Sequence, residues 1–523
     1  DKISRMNKTL KTILWIVGIT IAVSLPIFIV TENLKQPDPF REVYVTHCKS
    51  CHGGDLRGAS LGPALVGREL TYGESNAALI SSIKNGYPLT GMPSFTHALS
   101  EVEIKRLAIM INEQRLGYSM RDYKFEIPLK ISDESIKTEQ HSFRLETIAT
   151  NLDPWPYSIA LLPDGRILLT EKTKGLRIIE IDGTVSDHIV GTPKAYNDGY
   201  MWGTLQGAGW ILDVAPHPKY EENGWIYLSF GDRCSNCNTI SKSTGQDVSM
   251  CALVRGRIKD GTWIDQETIW KADVESYTTT SSASIGGRIS FDDRGHVFLS
   301  VGGMLWVPSP PPGNMETYVG IQDLGLPYGK IFRVYDDGGI PEDNPFYDTP
   351  NALKGIWTYG HRSPQGLEFD MATRQLWETE MGPRGGDEVN LLQAGKNYGW
   401  PLTSKGVNYD GSVVDYGQYS NIEYNIDSTL QPILDLTPSP AISSFIIYDG
   451  DAFPAWKGNM IVGSLKAATL YRFSMHEESI NHQEVLYKDL ARIRDIEQGP
   501  NGYIYLLLEH KSGSQIVRMV PAN

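Results

Sequence analysis

An all-β propeller of six blades, preceded by a small all-α unit and one N-terminal membrane-spanning helix, is the fold class this sequence predicts. Three observations carry that expectation. From Phe143 onward a turn pair followed by a short β-rich run recurs to the end; the pentapeptide Cys48-Lys49-Ser50-Cys51-His52 lies in a separate, earlier segment; and Ile13 to Val30 is eighteen residues without a charge.

Eighteen apolar residues are just enough to cross a bilayer as a helix. Lys2, Arg5, Lys8 and Lys11 precede the run, whereas Glu32 and Asp38 follow it. The basic end is expected to stay in the cytoplasm, with everything after it periplasmic or otherwise extracytoplasmic. A cleavable signal peptide is the rival reading, because Ala22-Val23-Ser24 offers small residues to a peptidase. The apolar run continues past that point, which favours an uncleaved anchor over residues 1–37, with the membrane helix at about 13–30.

The C-x-x-C-H pentapeptide predicts covalent haem c. Two thiols two residues apart can bond to the two vinyl groups of one porphyrin, and the adjacent imidazole is then held to the iron. Cys48 and Cys51 are the attachment residues and His52 the first axial ligand. Met92, in Gly91-Met92-Pro93-Ser94-Phe95, is the expected second ligand, since a His/Met pair raises the haem potential as an electron acceptor needs. Met110 competes but lies in the run Glu101 to Arg115, which has helical apolar spacing and Ser100 as its N-cap, so it is expected in the core. The order of haem motif, Gly-rich loop (Gly53, Gly54, Gly58, Gly62), Met-Pro loop and final helix over residues 38–120 resembles a small class I cytochrome c.

Five cysteines are few for 523 residues. Beyond the haem pair, Cys234, Cys237 and Cys251 leave an odd thiol; a loop disulfide of Cys234 or Cys237 with Cys251 is expected, and no second Cys pair supports a zinc site. A net charge of -14 with no basic tract excludes nucleic acid as a partner.

Residues 121–142 are charged, lack clear periodicity and read as a linker. In 143–523, Pro163-Asp164-Gly165, Asn223-Gly224, Asp293-Arg294-Gly295 and Asn501-Gly502 each lead into a run such as Trp225-Ile226-Tyr227-Leu228 or Tyr503-Ile504-Tyr505-Leu506. These are hairpin signals. Many short strands without a long amphipathic helix point to a closed all-β ring, with a pair of β-sandwiches as the alternative. Six blades would take about 63 residues each.

Within this region Gly360-His361-Arg362-Ser363-Pro364-Gln365-Gly366-Leu367, Glu380-Met381-Gly382-Pro383-Arg384-Gly385-Gly386-Asp387-Glu388-Val389-Asn390, Gly395-Lys396-Asn397-Tyr398-Gly399-Trp400-Pro401, Gly463-Ser464-Leu465-Lys466 and Arg492-Ile493-Arg494-Asp495 resemble the glucose/sorbosone dehydrogenase family. The resemblance implies a six-bladed quinoprotein related to aldose sugar dehydrogenases, using pyrroloquinoline quinone (PQQ) and calcium. It places Lys466, Arg492 and Arg494 on the cofactor carboxylates, Arg362 on the quinone oxygen, Gln206 near the quinone, and the carbonyls of Gly382 and Pro383 on calcium. Arg492 and Arg494, two apart on a strand, share one face. A calcium ion held by carbonyls would act as a Lewis acid towards the quinone.

The sequence departs from that family at the general base. A histidine opens the family's block, where Ser284-Ile285-Gly286-Gly287-Arg288 stands here, and Gly303 occupies the place of the aspartate that orients it. Serine, with a pKa far above neutrality, cannot take a substrate proton unaided. Two functions are therefore expected: a sugar or alcohol dehydrogenase that passes electrons to its own haem and on to a respiratory cytochrome or oxidase, using another base; or a degenerate propeller that serves as scaffold or binding module for an electron-transfer cytochrome c.

Overall fold

Short apolar strands separated by Gly-, Asn- and Asp-containing turns cannot bury both faces alone, and here they stack as blades. In the computed structural model, which describes residues 38–118, 124–129, 131–201, 204–205, 209–279, 286–303, 320–415 and 425–522, the chain divides into two units, Asp1–Ile111 and Asn112–Asn523. The expected membrane span lies outside the described residues, and no described helix is long and apolar enough to cross a bilayer.

The first unit is helical. Asp38 caps Pro39–His47 through Oδ1, which accepts from Phe40 N at 3.1 Å, and Pro39 at the first helical position has no N–H to satisfy. One further turn, Lys49–His52, carries the haem motif. Ser75 caps Asn76–Asn85, and Gly86, at φ 65°, ends it. The final helix, Glu101–Leu116, whose residues from Asn112 on belong to the second unit, starts with a reciprocal cap: Glu103 Oε2 accepts from Ser100 N at 2.8 Å, and Ser100 Oγ accepts from Glu103 N at 3.3 Å. Ile104, Leu107, Ala108 and Ile111 form its buried stripe, and Met110 is buried with them, as its helical position predicts.

The second unit is a six-bladed β-propeller. Inner strands Pro156–Leu161, Ile211–Pro216, Gly286–Phe291, Pro364–Asp370, Ile442–Ile447 and Arg492–Gln498 open blades 1 to 6, and each packs beside the next, the sixth against the first. Their uneven spacing reflects loops of different length, which is why the turn signals recur at irregular intervals. All four turn signals precede strands: Ile167–Glu171, Ile226–Cys234, His296–Val301 and Ile504–Glu509. The ring closes in blade 6, where Ser142–Leu152 pairs antiparallel with Ser514–Pro521, matching Phe143 with Pro521 and Leu145 with Met519. Ile136–Lys137, in the stretch expected to be a linker, adds a fifth strand to that sheet.

Near the inner strands Arg288 ties four blades together. Its guanidinium donates to Asp213 of blade 2 at 3.2 Å, Asp495 of blade 6 at 2.8 Å and the Gln365 carbonyl of blade 4 at 2.7 Å. Removing one partner would strand a buried charge.

The disulfide differs from expectation. Cys234 pairs with Cys237, and Cys251 is a buried free thiol. The register explains it: Val248 lies opposite Cys234, whereas Cys251 lies opposite Gly231 and is fully buried in the core between blades 2 and 3.

Candidate functional site

In the first unit Cys48 and Cys51 are both free and half-buried. His52 Nδ1 lies 2.8 Å from the Pro63 carbonyl, so that nitrogen carries the proton and Nε2 is left as the ligand atom. Both features fit a covalently held haem. Gly62 is packed so tightly that a Cβ there would stand 2.8 Å from the Cys51 carbonyl. Met92 is held by a two-way backbone bridge to Tyr87, with N···O distances of 2.8 and 3.2 Å. Pro93, next to it, packs against Gly86, where a Cβ would meet its carbonyl at 2.4 Å.

In the propeller the arginine pair does share a face and a partner. Glu509, at the end of the strand beside Arg492–Gln498, accepts from Arg494 Nε at 2.7 Å on one oxygen and from Arg492 Nε at 2.9 Å on the other. Burial alone would push the Glu509 carboxyl up, but Arg494, Lys172 and Arg492 together hold it well below the usual carboxylate range. Lys172 Nζ joins at 3.2 Å, and the Phe125 ring covers Arg492 at 3.9 Å. Lys466 belongs to another ion pair: its Nζ is 3.6 Å from Glu113, which also binds Arg384 Nη2 at 2.6 Å.

Arg362 is buried, and its Nη1 donates to the carbonyls of Met381 at 2.7 Å and Gly382 at 2.8 Å, whereas its Nε has no acceptor among the described residues. An orphaned guanidinium N–H fits a cofactor oxygen at this position. The Gly382-Pro383 turn admits only glycine at its first residue, because a Cβ would meet the Gly386 carbonyl at 2.2 Å. Asp387 braces the turn, accepting from Gly382 N at 3.0 Å and Ile442 N at 2.8 Å. Each Asp387 oxygen thus already serves a backbone N–H, while the Gly382 carbonyl keeps a second lone pair for a cation.

Gln206 and Ser284 lie outside the described residues. Gly303 is described, and its N donates to the Arg362 carbonyl at 2.9 Å. A Cβ there would stand 2.7 Å from the Ile321 side chain and 3.0 Å from the His361 carbonyl. The space an aspartate would need is filled by Ile321.

Sequence reasoning missed Glu509, Lys172 and a buried cluster of His361, Glu378 and Glu380, whose ligand-capable atoms all lie within 4.8 Å of one another. Burial would lower the His361 pKa, but Glu378 and Glu380 outweigh it and raise it to about 9. The imidazole therefore holds its proton between the carboxylates at neutral pH. Alternating Glu378 and Glu380 on the strand Gln375–Glu380, opposite Asn390 and Glu388, is the signal that could have revealed the cluster.

Comparison with known proteins decides the family. The family model described as Glucose / Sorbosone dehydrogenase matches residues 153–518. The chain belongs to this family. Residues 35–109 match a second model, Cytochrome C oxidase, cbb3-type, subunit III, so this family member also carries a cytochrome c domain. Aldose sugar dehydrogenase YliI of Escherichia coli is 30% identical over 403 residues, covering 76% of this chain and 98% of its own. Quinoprotein glucose dehydrogenase B of Acinetobacter calcoaceticus is 24% identical, covering 74% and 90%. Among solved structures, the apo-form of the soluble E. coli aldose sugar dehydrogenase superposes with a TM-score of 0.61 at 29% identity, covering 73% of this chain and all of its own.

Proposed function

We propose that this family member is a quinoprotein dehydrogenase that oxidises a sugar or alcohol and delivers the electrons to its own haem c. The observation that carries the reading is the set of buried cations around Glu509, together with the orphaned Arg362 Nε, in a chain that also bears a haem-attachment motif. PQQ, when bound, would supply an ortho-quinone that accepts hydride and releases its electrons singly to the haem. Arg492 and Arg494 would hold its carboxylates, with Lys466 reaching them once it leaves Glu113. Arg362 would stabilise negative charge at the quinone oxygen, and the carbonyls of Gly382 and Pro383 would seat calcium. We further propose that the N-terminal segment anchors the protein, with both domains outside the cytoplasm and a respiratory cytochrome or oxidase as final acceptor.

The test is direct: load the haem-containing full chain with PQQ and calcium, add candidate aldoses, and follow the reduced haem band. Haem reduction that needs both PQQ and sugar supports the reading. If PQQ binds but no sugar or alcohol reduces the haem, the propeller is a scaffold for the cytochrome, the reading that the filled space at Gly303 favours.

Two substitutions probe the halves separately. Met92→Ala is expected to abolish His/Met ligation and lower the haem potential, because thioether ligation favours the ferrous state; an unchanged spectrum and potential would move the ligand elsewhere. Arg492→Ala with Arg494→Ala removes two charge-assisted bonds, each worth about 1.5–3 kcal/mol, so PQQ affinity should fall at least about a hundredfold. Equal affinity in equilibrium titration would take the carboxylate site away from these arginines.

A further inference from the structure

We propose that Lys172 is a further cation of the cofactor-carboxylate pocket, beside Arg492 and Arg494, and that it takes up a proton when the anionic cofactor binds, an assignment that rests on the PQQ reading above. Lys172 follows the blade 1 strand Ile167–Glu171 and faces blade 6. Its Nζ shares Glu509 Oε1, at 3.2 Å, with Arg494 Nε, while Arg492 takes the other oxygen. One carboxylate thus faces three basic side chains. All are nearly excluded from water, and counting these four groups alone, each in its charged form, positive charges outnumber negative by two.

The other faces of Lys172 are aromatic. The Tyr157 ring of blade 1 lies 5.9 Å away and that of Trp210, before blade 2, 5.7 Å. Burial keeps Tyr157 protonated to about 12, so it does not titrate near neutrality. Of the three ammonium donors of Lys172, one has an acceptor among the described residues. Arginines cannot relieve the excess charge by losing a proton, whereas a lysine can. Burial first, and Arg494 next, bring Lys172 down to about 7 against the pull of Glu509.

Below pH 7 the free pocket already carries the lysine proton, and binding takes up none. Above pH 7 the free pocket has lost it, and a tricarboxylate that favours the charged form must bring it back. Affinity therefore falls as pH rises through 7, by up to about tenfold per pH unit, until the raised pKa of the bound state is reached.

The experiment is a PQQ titration of the calcium-loaded, haem-containing full chain from pH 6 to 9, with calorimetry at pH 8 in two buffers of different ionisation enthalpy. Wild type should show Kd rising above pH 7 and an uptake near one proton. Lys172→Arg keeps its charge and should bind without that pH dependence or uptake. Lys172→Met should bind more weakly at pH 6 and show the same flat profile. Burial also places Lys330 and Glu380 at about 7 and Glu368 at about 8, and His361 stands at about 9, but all four remain in these variants, so a dependence that survives Lys172→Arg belongs to other groups such as these and overturns the assignment. Flat wild-type affinity overturns it too, leaving the cofactor reading intact. Failure of wild type to bind PQQ even at pH 6 overturns both.

Discussion

Glutamine in place of Glu509 is expected to destabilise the propeller by about 3–5 kcal/mol, lowering its thermal unfolding midpoint by about 4–6 °C. The substitution keeps the shape of the side chain and removes the one carboxylate that Arg492, Arg494 and Lys172 share. Arg492 and Arg494 would then lose the carboxylate they share, and Lys172 could ease the repulsion only by giving up its proton. PQQ, by returning negative charge, should stabilise the variant more than it stabilises wild type, which calorimetric scans with and without cofactor would reveal. A loss below about 1 kcal/mol would mean that water reaches the cluster and screens it.

Aspartate at Gly303 should have the second largest effect. Its Cβ would press on Ile321 and the His361 carbonyl, and its carboxylate would be buried between an apolar side chain and a carbonyl oxygen, neither of which can donate to it. Overpacking costs about 1–3 kcal/mol and an unpaired buried polar group a similar amount, so Gly303→Asp should destabilise by about 2–5 kcal/mol. Ile321→Ala in the same chain should recover part of that by opening room. Restoring a histidine base therefore calls for Ser284→His, Gly303→Asp and Ile321→Ala together, read as sugar-dependent haem reduction. Wild-type stability for Gly303→Asp alone would show that Ile321 moves aside easily, and the argument from filled space would fail.

Local signals in the sequence revealed much of this architecture. The turn pairs marked strands because Gly and Asn there relieve the backbone at tight hairpins, and the Arg492/Arg494 face followed from the two-residue period of a strand. The C-x-x-C-H motif was legible because its chemistry needs that spacing. What escaped was non-local. Lys172 and Glu509 are 337 positions apart and meet only because blade 6 closes against blade 1. Cys251 lost its expected partner to strand register, and Ile321 fills a space that no sequence spacing describes.

The closing of blade 6 bears on how the protein is made. Glu146 and Arg518 form an ion pair across 372 positions, so the ring has an open seam until its last strand has been synthesised. Five blades must wait, with apolar edges exposed, for Ser514–Pro521 to pair with a strand that left the ribosome far earlier. Losing Ser514–Pro521 would remove the clasp as well as one strand of a blade, and a chain lacking that one strand would be an assembly-incompetent one.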